Sequence, residues 1–188
     1  MKILLVDRGL ELVREWTTAF ADRDEVEVVN GDYFSRDAAA IVSPANSFGI
    51  MDGGLDLSIR NELGLDVQMR VQRAIVEHHH GELPVGAALV VDTSDARWPK
   101  LVAAPTMRIP ESVAQTVNAY LAFRAVLLVC RREAIESVVC CGLGTGIGGM
   151  EARRCAIQMR MALLHVTGPA RIPSFAQIHA VHEALRKS

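Results

Sequence analysis

Two stretches join an apolar run to a glycine-bearing loop and a helix start, an order suited to holding an anion. In the first, Ala38 to Val42 is apolar, Ser43-Pro44 breaks the run, and a polar loop leads to Gly53-Gly54. A helical pattern follows, with Leu55, Ile59 and Leu63 spaced for one face. In the second, Ser137 to Cys141 is strand-like, Gly142-Leu-Gly-Thr-Gly-Ile-Gly-Gly149 is the loop, and a helical pattern runs through Ala152, Ala156, Met159 and Leu163. Strand, loop and helix N-terminus together aim backbone N–H groups and the positive end of a helix dipole at negative charge. Two such loops facing each other would hold a diphosphate from both sides. The second loop has five glycines in eight residues, more open amide backbone than a turn needs. The plainer alternative is a glycine turn shaped for tight packing.

Three polar side chains stand near these loops. Asn46 lies just past the first strand; its amide can donate to and accept from a sugar hydroxyl, although by itself it reads as a turn former. Asp56 falls in the first turn of the next helix. There it either complements the dipole or orients and deprotonates a water. Asp32, in Asn30-Gly31-Asp32, could be a simple turn residue. Cys141 precedes a loop where a thiolate would be stabilised, but a buried strand cysteine is the simpler reading. His78-His79-His80 could bind a metal, but a solvated loop after a helix is the simpler reading. Thr106, Arg108, Thr116 and Asn118 are further candidates for a pocket wall.

Familiar motifs fit poorly. Gly144-x-Gly146-x-x-Gly149 has dinucleotide-binding spacing, but that motif opens a first βαβ unit and is followed by a ribose-binding acid. Here Leu163 to Pro169 holds none. No Lys-Ser or Lys-Thr follows the glycines, which excludes a P-loop, and there is no Gly-x-Ser-x-Gly elbow.

The elements that must carry these residues alternate. Strands are expected at residues 2–7, 26–29, 38–42, 86–91, 101–104 and 137–141. Helices are expected at 10–21, 55–63, 67–77, after a capping box at Ser112-Val-Ala-Gln115, from Ala152 to Gly168-Pro169, and at 175–185. Gly64 should end the second helix through a positive φ. This alternation predicts an α/β fold, a three-layer α/β/α sandwich with a mixed, mainly parallel sheet of about six strands. Both glycine loops then fall at strand carboxyl ends, where such sheets bind ligands.

The chain has 188 residues, which suits one domain spanning 1–188. A net charge of −2 gives no electrostatic case for nucleic acid or an anionic membrane surface. No run of 18 apolar residues suggests a span. Four cysteines match neither a zinc pattern nor a disulfide framework, and a reducing cytoplasm is the simplest setting.

In combination, Gly31-Asp32, Ile41 to Asn46, Gly53-Gly54-Leu55-Asp56 and Gly144-Thr-Gly-Ile-Gly-Gly149 resemble the macrodomain family, over about Val26 to Met161. The resemblance implies an ADP-ribose ligand, free or on a modified protein or small molecule. It implies that Asp32 holds the adenine amino group and that Asn46 contacts the distal ribose. Gly53, Gly54 and Leu55 would wrap the diphosphate from one side, and Gly144, Thr145, Gly146, Ile147 and Gly148 from the other. Asp56 matches the catalytic aspartate of hydrolytic members, with Asn46 positioning the sugar. The activity implied is hydrolysis of ADP-ribosyl adducts at the distal ribose, including O-acyl-ADP-ribose, with no metal or other cofactor. The alternatives are a non-catalytic ADP-ribose reader and a Rossmann-like NAD-binding protein.

The chain departs from the family pattern in four places. Ser43-Pro44 stands where the family has its first asparagine and an alanine. Ile50-Met51-Asp52 precedes only two glycines. Gly148 replaces an aromatic, for which Phe48 is a candidate substitute. Val102-Ala-Ala-Pro-Thr-Met-Arg108 replaces Ile-His-x-Val-Gly-Pro.

Overall fold

The computed structural model describes residues 1–187. Its strands are short and mostly apolar because they belong to a sheet covered by helices on both faces. They are β1 (Lys2–Asp7), β2 (Val26–Asn30), β3 (Ala40–Ser43), β4 (Leu89–Asp92), β5 (Lys100–Ala103) and β6 (Ser137–Cys140). The helices are α1 (Leu10–Ala19), α2 (Gly54–Leu63), α3 (Asp66–His79), α4 (Asn118–Arg132), α5 (Ala152–Thr167) and α6 (Phe175–Lys187). The six strands form one sheet in the order β2-β1-β6-β3-β5-β4. Every pair is parallel except β4 on β5, which is antiparallel.

Helices α1, α4 and α5 pack together as one layer, and α2 and α3 form the other. The core between them is mainly aliphatic, built on Ile3 to Val6, Ile41, Val42, Leu101, Val102, Val138 and Val139, with Trp16, Trp98 and Phe123 as fully buried anchors. Buried aromatics of this size contribute most per residue to such a core. The Tyr33 hydroxyl ties the sheet centre, donating to the Val42 carbonyl at 2.6 Å and lying 3.2 Å from that of Val139.

The α/β/α sandwich with a mixed, mainly parallel sheet matches the expected fold class. Some boundaries differ, for local reasons. β3 begins at Ala40 rather than Ala38, because the Ala38 N–H is taken by the Arg97 carbonyl and that of Ala39 by the Ser137 hydroxyl. β4 begins at Leu89 rather than Gly86, whose φ of +96° belongs to a turn. Gly64 ends α2 with a φ of +91°, as expected.

The expected capping box at Ser112 to Gln115 does not start a helix: α4 begins at Asn118, whose N–H bonds the Thr116 hydroxyl at 3.2 Å. Residues 112–117 are held out of helical geometry because Val113 donates its N–H to the Gly148 carbonyl at 2.8 Å. His78 and His79 form the last turn of α3 rather than a loop, and His80 follows as its left-handed cap. Among the described residues, no helix is long and apolar enough to cross a membrane.

Candidate functional site

The carboxyl ends of β1, β2, β3, β5 and β6 open onto one cleft of about 440 Å³. Every residue singled out from the two loops lines it: Asn46, Gly53, Gly54, Leu55 and Asp56 on one side, Gly144, Thr145, Gly146, Ile147 and Gly148 on the other. Asp32 lines the same cleft. Strand order sets the sequence of groups along it: Asp32 follows the edge strand β2, the two loops follow the neighbours β6 and β3, and Thr106 and Met107 follow β5.

The loops face each other closely. A Cβ built on Gly54 would lie 4.0 Å from Ile147 Cδ1, so the two lips nearly touch. Gly54 adopts a φ of +56°, which other residues take only with strain. The loops also present backbone donors. Helix α2 has no side-chain cap, and the first backbone bond into its start is Leu57 N–H to Gly53. The N–H groups of Gly54, Leu55 and Asp56 are thus the open first turn of a helix at the cleft. In the facing loop, Gly149 and Met150 donate back to Gly146 and Gly144. The N–H groups of Thr145 to Gly148 find no backbone acceptor among the described residues. Two opposed runs of unused donors in one cleft are the arrangement that suits an anion.

Side-chain charge in the cleft has the opposite sign. Asp7, Asp32, Asp52 and Asp56 line it, and Arg8 is the one basic side chain that does so among the described residues. The Asp32 carboxylate accepts the Phe34 N–H at 2.8 Å and pairs with the Arg8 guanidinium. The Phe34 bond, then Arg8, holds its pKa below the usual carboxylate value.

Asp56 differs. The residue keeps some exposure to the cleft, but desolvation of its carboxyl pushes the pKa up to about 6, and the Ser43 hydrogen bond opposes only part of that rise. An acid tuned to ionise near neutrality in a cleft wall suits proton transfer.

Asn46 is largely occupied by its own loop. Its Oδ1 accepts the N–H groups of Phe48 and Ile50 at 3.1 and 3.3 Å, and its Nδ2 donates to the Ile50 carbonyl at 2.7 Å. This is the turn-forming role; one Nδ2 hydrogen remains for a sugar hydroxyl, so the amide cannot both donate and accept there. Phe48 does not supply the missing ring. It lies outside the cleft with the Arg108 guanidinium 5.1 Å from its centre, and Arg108 is held by Glu82 at 2.8 and 3.0 Å.

The absence of an aromatic at Gly148 has a steric cause. A Cβ there would meet Val113 Cγ2 at 2.5 Å and the Gly144 carbonyl oxygen at 2.6 Å. Of the other wall candidates, Thr106 lines the cleft, while Arg108, Thr116 and Asn118 do not. Asn118 instead donates to the Thr106 carbonyl at 2.8 Å. Cys141 touches the cleft but is buried, and desolvation raises its thiol well above the usual value, which favours the structural role. Sequence reasoning assigned no role to Ser43, Arg8 or Tyr33. Arg8 was detectable, since it directly follows a strand carboxyl end.

Comparison with known proteins places this geometry among relatives. A family model described as Macro domain matches residues 42–159. An uncharacterized protein of Aquifex aeolicus is 32% identical over 126 residues, covering 67% of this chain and 73% of that protein. The fold is similar to the macrodomain of Mycobacterium tuberculosis DarG, with TM-score 0.58 and 23% identity over 72% of this chain and 85% of that one. It is also similar to a variant of the Oceanobacillus iheyensis macrodomain with ADPR, with TM-score 0.62 and 18% identity over 84% of this chain and 89% of that one.

Proposed function

The chain belongs to the macrodomain family, and on that premise we propose that its cleft binds ADP-ribose and hydrolyses ADP-ribosyl adducts at the distal ribose. Two runs of unpaired backbone N–H opposed across one cleft carry the binding half. Amide donors neutralise a diphosphate without the entropy cost of ordering long side chains. The related Oceanobacillus macrodomain with ADPR supports the choice of ligand. Adenine lies at the β2 end, where Asp32 accepts from its amino group. The distal ribose lies at the β3 and β5 end, beside the free Nδ2 hydrogen of Asn46 and the Asp56 carboxyl.

In this scheme Asp56 takes a proton from a water in the cleft. The water oxygen bonds to the anomeric carbon of the distal ribose, and the bond from that carbon to the adduct oxygen breaks. The electron pair leaves with the adduct, which for a carboxyl-linked adduct is a stable carboxylate. Asp56 then returns its proton to solvent. Its elevated pKa supports this role.

A second reading, a reader without turnover, is favoured by the engagement of the Asn46 amide in its own turn. Calorimetry against ADP-ribose, ADP and NAD tests binding; ADP-ribose is expected to bind tightest, and a preference for NAD overturns the assignment. Release of ADP-ribose from a mono-ADP-ribosylated protein tests turnover. Binding without release leaves the reader.

A further inference from the structure

Ser43 ends β3 in the middle of the sheet and is 1% exposed. Its hydroxyl donates to Asp56 Oδ1 at 2.6 Å. Among the described residues this is the only hydrogen bond to the Asp56 side chain, and no cation pairs with it. An acid at a helix start needs neither a buried partner nor a desolvated setting, because an exposed one serves the dipole equally well. A poorly solvated carboxylate without a cation is costly to keep. The fold nevertheless holds it there by a contact between the end of a central strand and the first turn of α2.

We propose that Ser43 is a positioning residue for Asp56: its hydroxyl grips one carboxyl oxygen whether the acid is ionised or protonated, and so keeps the other oxygen turned to the cleft. The inference rests on the hydrolytic reading for its purpose, and on the geometry alone for the contact.

The contact survives the proton transfer. When the cleft-facing oxygen of Asp56 takes a proton, Oδ1 remains a carbonyl-type acceptor and the serine O–H still donates to it. Asp56 therefore keeps its partner while it takes and returns a proton.

Two other titratable groups face Asp56: Tyr33, in the segment after β2, and Cys141, at the end of β6. Burial raises both well above their ordinary values, so neither changes charge while Asp56 titrates.

The test is carboxyl-detected NMR titration of Asp56 in the free protein, wild type against Ser43→Ala and Ser43→Cys. Ser43 lowers the pKa of Asp56, so losing it should raise the midpoint, by about one pH unit in Ser43→Ala. The weaker thiol donor should give a smaller rise. In turnover assays the rising limb should move to higher pH with the NMR midpoint, and the plateau rate should fall about ten-fold or more in Ser43→Ala. ADP-ribose affinity should stay within about three-fold of wild type.

An unmoved Asp56 midpoint in both variants overturns the contact. A moved midpoint with an unchanged rate overturns the positioning role. If the wild type binds ADP-ribose and shows no turnover, the hydrolytic reading fails and the positioning role fails with it, while the titration still decides the contact. Should Ser43→Ala fail to fold, Ser43→Cys, nearly equal in shape, carries the same measurements.

Discussion

Asp56 keeps its charge at neutral pH against its own desolvation. Its folded pKa is about 6 against an ordinary 3.8. Between those values the native state holds a proton that the unfolded chain has released, so stability falls as pH rises through that window. The full penalty, on the order of 1–3 kcal/mol once water from the cleft is allowed for, is present above about pH 6 and absent below about pH 4. Asp56→Asn should therefore raise the melting temperature at about pH 7.5, and the gain should vanish as pH drops below about 4. A variant no more stable than wild type at the higher pH would show that the charge costs nothing there. The same variant should bind ADP-ribose and lose turnover. Asp32→Ala should weaken ADP-ribose binding by about 1–3 kcal/mol in calorimetry, the range for a hydrogen bond to a charged acceptor; unchanged affinity contradicts the adenine role. The types and neighbourhood of Asp32 and Asp56 were readable from the chain. The partners of Asn46 and Phe48 were not, because a loop's internal bonds depend on where its ends are anchored.

The second glycine loop is a strand-to-helix element shaped by a neighbour far away in sequence. Val113 donates its N–H to Gly148 and packs its methyl group where any larger residue at Gly148 would sit. Gly148→Ala should destabilise the protein by roughly 1–3 kcal/mol and weaken ADP-ribose binding, measured by thermal melting and calorimetry. Pairing it with Val113→Ala should recover only part of the loss, since the Gly144 carbonyl still lies 2.6 Å from the added Cβ. Full recovery would assign the whole clash to Val113. The glycines were legible as a loop with unusual amide exposure. The strap that supports them was misread as a capping box, because Ser112 to Gln115 carries the local signal of a helix start and a long-range bond overrides it.

Across the whole molecule, net charge is −2, and among the described residues four aspartates line the cleft against one arginine. A diphosphate held there depends on short-range backbone donors more than on a long-range field. ADP-ribose affinity should change by less than about three-fold between about 50 and about 300 mM salt; a steep salt dependence would point to basic side chains as the principal binders. The sequence by itself determined the alternation of strands and helices, the apolar strands of a covered sheet, and two strand–loop–helix units with open glycine backbones, since periodicity, glycine content and helix-start chemistry are local. Only the tertiary structure decided that β6 and β3 lie side by side, which brings loops some ninety residues apart in sequence to opposite lips of one cleft. It also decided that Asn46 spends its amide on its own turn and that Ser43 donates its hydroxyl to Asp56. Strand order and side-chain partners depend on which surfaces can be buried together, and no single stretch of chain holds that information.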